Sequence, residues 1–122
     1  MIQGFDHVGI CARDTKALKD WYCDLLGFTL FSDNGKGNYF VRAADGVMIE
    51  IMPQMADKDP DGEESAIGWK HIALVPVDFD SAVEKLLAYG VPVVSGPNKR
   101  EDGYCTFFFR DPEGNIVHLA KR

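Results

Sequence analysis

The sequence predicts an α+β protein made of one small strand–helix–strand–strand–strand unit used twice. Three observations carry this reading. Residues 5–10, FDHVGI, are matched in pattern by residues 69–74, WKHIAL: an aromatic, a charged residue, a histidine, then three small or apolar residues. Each run is followed by apolar residues at helical spacing, stopped by a glycine, Gly27 in the first half and Gly90 in the second. Each half then closes on an apolar run entered through a glycine turn: VMIEIM after Asp45-Gly46, and NIVHLA within DPEGNIVHLA.

Taken in order, residues 5–12 alternate as a strand, with Phe5, His7, Gly9 and Cys11 on one face and Asp6, Val8, Ile10 and Ala12 on the other. Asp14 or Thr15 caps a helix whose Ala17, Leu18, Trp21, Tyr22 and Leu25 point inward. Three strand-like runs follow, FTLFS, NYFVRA and VMIEIM, divided by the turn signals DNGKGN and DG. The second half repeats the plan. Asp78 or Asp80 caps a helix with Val83, Leu86 and Leu87 inward, and the runs VPVVS, YCTFFFR and NIVHLA are separated by GPNKREDG and DPEGN. Unit one spans about residues 4–52 and unit two about 69–121. The stretch between, about 53–68, is acidic and rich in turn residues, and reads as a linker. A unit of about fifty residues is too small to bury its apolar face comfortably alone. The two are therefore expected to share a core or a sheet, making residues 1–122 a single domain.

Composition narrows the function classes. Hydrophobic residues make up 46% and charged residues 26%, the balance of an ordinary soluble globular protein. A net charge of −6 argues against nucleic acid as a partner, since that needs a basic stripe. No apolar run approaches the length of a membrane span, and the N-terminus lacks the basic start of a secretory leader, so the cytoplasm is the expected compartment. Cys11, Cys23 and Cys105 are odd in number and form no Cys-x-x-Cys pair, so they are expected to be reduced thiols.

The chemistry-bearing residues follow from the repeat. Glu50 lies four residues after Gly46, and His118 four after Gly114. The first strand of each unit thus carries a histidine, His7 or His71, and the last strand carries a ligand-type residue, Glu50 or His118, at the equivalent position. The three histidines of the chain all fall on these four positions. The fourth is a glutamate inside an apolar strand, costly there unless it is paired or metal-bound. Met48, Met52, Trp69, Phe107 and Phe109 are candidate pocket-lining residues, although ordinary core packing accounts better for most of them.

The duplicated unit, with its endings DGVMIEI and DPEGNIVHL, resembles the vicinal oxygen chelate superfamily, which includes glyoxalase I, extradiol dioxygenases and bleomycin resistance proteins. The resemblance runs from Phe5 to about Lys121. It implies two βαβββ units forming an incomplete eight-stranded barrel around a concave metal cleft, with the helices outside. It implies His7, Glu50, His71 and His118 as metal ligands, a small-molecule substrate with adjacent oxygens, and a homodimer; family mechanisms that use the last-strand glutamate as base lose it to His118, so Glu50 is expected to be both ligand and base unless another group moves the proton. The family's last-strand ligand is usually glutamate, and here it is His118. Three imidazoles and one carboxylate favour Ni, Zn, Fe or Mn over Mg. Lys99 and Arg100 resemble the family's substrate-binding loop, and Trp69, Met48 and Phe107 complete the expected substrate surface. The leading expectation is a glyoxalase-like lyase or isomerase. Its rivals are an extradiol-type dioxygenase using Fe or Mn, and a metal-free binding or resistance protein in which Glu50 pairs with a protonated histidine.

Overall fold

The computed structural model describes residue 1 and residues 5–54 and 71–122. The expected linker from residue 55 onward, and Trp69, lie outside the described residues. The chain divides into two compact units, Met1–Asp57 and Lys58–Arg122. Each carries one helix and one four-stranded mixed sheet, so the α+β class and the βαβββ plan stand as expected.

In the first unit the elements are β1 (His7–Ala12), α1 (Thr15–Asp24), β2 (Thr29–Asp33), β3 (Tyr39–Arg42) and β4 (Met48–Pro53), with sheet order β1-β4-β3-β2. β1 and β4 run parallel; β2, β3 and β4 are antiparallel neighbours. The second unit repeats this with β5 (His71–Leu74), α2 (Phe79–Tyr89), β6 (Val93–Lys99), β7 (Cys105–Arg110) and β8 (Ile116–Lys121), in the order β5-β8-β7-β6. The parallel pair is why each unit needs its helix: chain leaving one parallel strand must cross back before it can re-enter beside it.

The helices begin where their caps dictate. Asp14 accepts from the Ala17 N–H at 3.0 Å, and Asp78 accepts from the Ser81 N–H at 2.8 Å, each satisfying a donor that the first turn leaves open. Of the alternatives at each start, Asp14 and Asp78 are the caps, rather than Thr15 and Asp80. α2 ends at Gly90, whose φ of 92° lets its N–H reach the Leu86 and Leu87 carbonyls while the Val91 N–H returns to Leu86. In α1 the cap is Leu25, and Gly27 makes the left-handed turn two residues later.

Leu18, Trp21, Tyr22 and Leu25 are buried with Ile10, Ala12, Val41, Ile49 and Ile51 of the first sheet. Phe79, Val83 and Leu86 are buried in the second unit with Phe107, Phe109, Val117 and Leu119 of its sheet. Two inward assignments are corrected. Ala17 is exposed, because it sits in the first turn beside the cap, off the stripe that Leu18, Trp21 and Tyr22 define. Leu87 is also exposed, because Val83 and Leu86 already set the buried face of a short helix.

Three hairpin connections share one turn. The N–H of Ala43 bonds to the Val47 carbonyl and that of Gly46 to Ala43; Arg100, Gly103 and Tyr104 repeat the pattern, as do Asp111, Gly114 and Asn115. Each turn places a glycine at positive φ in its fourth position, Gly46, Gly103 or Gly114. Asp111, buried, reinforces the last of them by accepting from the N–H groups of Glu113 and Asn115 and from the Asn115 amide. Glycine-terminated turns of this kind fix where β4 and β8 begin, and therefore which side chains take each face. The expected VPVVS strand is longer than its apolar run: β6 continues through Gly96-Pro97 to Lys99, with irregular register between Val93 and Asn98.

The Ser81 N–H bond holds the Asp78 carboxyl below its ordinary value, with Lys121 and Lys99 adding smaller attractions. A depressed carboxyl stabilises the fold above its unfolded pKa, about 3.9, and that contribution fades as pH falls through the lower folded value. Asp78→Asn keeps a capping oxygen but not the charge. The urea midpoint of wild type should therefore exceed that of Asp78→Asn at pH 7, and the difference should shrink by pH 3.

Candidate functional site

In each unit the first and last strands lie side by side in the same register. His7 pairs with Met48 and Gly9 with Glu50; His71 pairs with Ile116 and Ala73 with His118. The histidine therefore stands one two-residue step from the last-strand ligand, on the same face. Opposite Glu50 and His118 the first strand carries only a small residue, Gly9 or Ala73. Opposite Glu50 on its other side is Phe40, and opposite His118 is Phe108.

The first pair is built from charged groups. His7 Nε2 lies 3.8 Å from Glu50 Oε1. That is beyond hydrogen-bond range, and it falls within the separation of about 3–4 Å that two donors take on one metal with bonds of the usual length. The other ring nitrogen, Nδ1, lies 2.7 Å from Asp6 Oδ2. Asn38 donates from Nδ2 to Glu50 Oε2 at 3.3 Å, leaving Oε1 on the histidine side. The Glu50 side chain is 23% exposed, so its carboxylate is partly desolvated without being sealed from water. Phe40 meets the His7 ring edge-on, with centroids 5.3 Å apart.

The second pair is aromatic and better buried. The His71 and His118 rings lie with centroids 4.8 Å apart, and Phe108 lies 4.2 Å from His118 and edge-on to His71 at 5.7 Å. His118 is 6% exposed, so the histidine among Ile116, Val117, Leu119 and Ala120 is inside the fold. Both units thus present a histidine, a last-strand ligand and an edge-on phenylalanine in one repeated arrangement.

Among the described residues, no three His, Cys, Asp or Glu side chains cluster closely enough to hold a metal by themselves. Each unit holds one pair. The first pair combines donors that suit a transition metal, an imidazole nitrogen and a carboxylate oxygen, and the other nitrogen of its histidine is already held by a carboxylate, as in metal-ligating histidines generally.

The other expected site residues fall out unevenly. Met48 and Met52 share the face of Glu50, and the tip of Met52 lies over Gly9. Phe107 belongs to the core of the second unit. It is fully buried, stacked on Phe109 at 5.6 Å and paired with Leu119 across the hairpin, while its neighbour Phe108 lies on the other face of β7, beside His118. Lys99 lies 2.7 Å from Asp80, whose carboxylate raises the lysine above its ordinary pKa. Arg100 pairs with Asp102 at 2.8 Å at the tip of the β6–β7 hairpin. Both cations are engaged by carboxylates of their own unit. Asp6, Asn38, Phe40 and Phe108 were not singled out from the sequence. The two phenylalanines were within reach, since they occupy equivalent places in NYFVRA and TFFFR, but only the hairpin register puts them beside the ligands.

A family model described as the Glyoxalase/Bleomycin resistance protein/Dioxygenase superfamily matches residues 4–119. The chain belongs to this superfamily. It is 31% identical to the uncharacterized protein YaeR of Escherichia coli, over 95% of this chain and 94% of that one. Among solved structures, a glyoxalase/dioxygenase from Nostoc punctiforme matches with a TM-score of 0.82 at 20% identity, covering 97% of this chain and 90% of its own. A lactoylglutathione lyase from Agrobacterium tumefaciens matches with a TM-score of 0.73 at 19% identity, covering 98% and 93%. At such identities the structural matches establish the glyoxalase-superfamily fold. No helix among the described residues is long and apolar enough to cross a membrane.

The two phenylalanines separate core from site. Phe107→Ala should lower stability by about 3–5 kcal/mol, as expected for emptying a fully buried aromatic position. Phe108→Ala should cost clearly less in urea unfolding while shifting the His71 and His118 ring resonances more than Phe107→Ala does.

Proposed function

We propose that this protein is a divalent-metal-dependent, glyoxalase-like lyase or isomerase, with His7, Glu50, His71 and His118 as its metal ligands and a small substrate bearing two adjacent oxygens. The observation that carries this reading is the repeated arrangement: the same histidine, last-strand ligand and phenylalanine, in the same register, in both units. Superfamily membership supports it. With three imidazoles in the set, the metal we propose is Ni or Zn, with Fe and Mn as the other candidates.

When bound, such a metal supplies Lewis-acid stabilisation of the oxygen anion that develops as a carbon-bound proton leaves. The residues do the rest. Glu50 takes the proton from the carbon bearing sulfur and hydroxyl in the thiohemiacetal of a 2-oxoaldehyde and returns it to the adjacent carbon, while the hydroxyl proton passes to the neighbouring carbonyl oxygen. The product is a 2-hydroxy thioester with the same atoms as the substrate. Asn38 holds one carboxylate oxygen and so leaves the other to act. Met48 and Met52 lie on the same face and provide apolar contact.

Elemental analysis of purified protein should find about one transition-metal ion per chain, and His7→Ala should abolish its uptake. Turnover of methylglyoxal with a thiol should fall by about two to four orders of magnitude in Glu50→Gln. A protein that takes up none of these metals would refute the reading. The superfamily's habit also leads us to propose a cytoplasmic homodimer. Sedimentation equilibrium should then return twice the chain mass of 13.6 kDa, and a monomer at micromolar concentration would rule the dimer out.

A further inference from the structure

We propose that Asp6 is a positioning residue that fixes the metal-binding face of His7 toward Glu50. The inference rests on the metal-dependent reading above and deepens it.

A carboxylate only accepts hydrogen bonds. Its 2.7 Å contact with His7 Nδ1 therefore puts a ring hydrogen on Nδ1, and in the neutral ring this leaves the lone pair on Nε2, the nitrogen that faces Glu50. A neutral histidine in water favours the opposite tautomer, so Asp6 selects the ligating form before any ion arrives. The ring plane is also held, by Asp6 on one side and the edge-on Phe40. Asp6 is itself anchored, because its carbonyl accepts from the Met48 N–H at 3.3 Å, at the start of the β1–β4 pairing.

Fold stability does not explain the contact. The Asp6 side chain is 78% exposed, and exposed ion pairs add little to stability. Direction and charge explain it better. The sequence places Lys70 before His71, where the first unit has Asp6 before His7. One histidine of the repeat thus follows an anion and the other a cation. Asp6 thus sets an anion behind His7, as carboxylates commonly stand behind ligating histidines.

The test uses Asp6→Ala and Asp6→Asn, with thermal melting to check that both fold as wild type does. Nitrogen-15 correlation spectra of the metal-free proteins read the His7 tautomer, and competition with a chromophoric chelator reads Zn and Ni affinity. Wild type should show the Nδ1–H tautomer. Asp6→Ala should lose it and bind metal about 10- to 100-fold more weakly. Asp6→Asn, whose amide oxygen still accepts from Nδ1, should keep the tautomer and recover part of the affinity. A wild-type His7 already in the Nε2–H form would overturn the proposal. Equal metal affinity in wild type and Asp6→Ala would overturn it too, while leaving the ligand assignment standing. A wild type that binds neither metal refutes the metal-dependent reading itself, an outcome the tautomer spectra keep distinct from a failure of Asp6.

Discussion

Within each unit, the parallel pairing of the first strand with the last is the constraint on which the site depends. Two residues more than forty positions apart in the chain, such as His7 and Glu50, become neighbours only because β1 and β4 lie side by side in one register. The helix and the two intervening strands form the crossover that a parallel pair requires. β4 and β8 are interior strands, bonded on both edges, and so they hold Glu50 and His118 more firmly than an edge strand could. The glycine-ended turns before them set the register, and a slip of one residue would send both ligands to the helix side.

Duplication gave two copies of one scaffold, and the copies have been filled with different chemistry. The first holds a half-exposed histidine, a partly buried glutamate and a carboxylate behind the histidine. The second holds two imidazoles tilted against one another and beside phenylalanine, one of them deep in the fold. Physical cost follows the same division. A carboxylate loses far more than a neutral imidazole on burial, and Glu50 is the residue that keeps solvent contact and a donor from Asn38. What stays constant is geometry: a small residue opposite each ligand and a phenylalanine edge-on to each first-strand histidine.

Much of the fold was legible in the chain because its signals are local. Asp14, Asp78 and Gly90 mark helix ends through bonds made within a single turn, and Gly46 and Gly114 mark hairpins through positive φ. The repeat then tied Glu50 to His118 by counting from those glycines. Less legible were features decided by more than one segment. Phe107 and Phe108 are adjacent and chemically identical, and nothing local says which belongs to the core. That depends on the register of β7 against β8, which pairs Phe107 with Leu119 and Phe108 with His118. Leu87 reads as inward by its type, yet a short helix over a four-stranded sheet has only enough contact area for Phe79, Val83 and Leu86.

The sequence by itself determined the βαβββ plan, its duplication, and the candidate ligands His7, Glu50, His71 and His118, because periodicity, caps and turn glycines act over a few residues and survive in a linear reading. Only the tertiary structure decided that Asp6 and Asn38 support the first pair, that Phe40 and Phe108 stand edge-on to the histidines, and that Lys99 and Arg100 are engaged by carboxylates. Those facts depend on side-chain direction and on strands meeting across the sheet, and neither is encoded in any one stretch of chain.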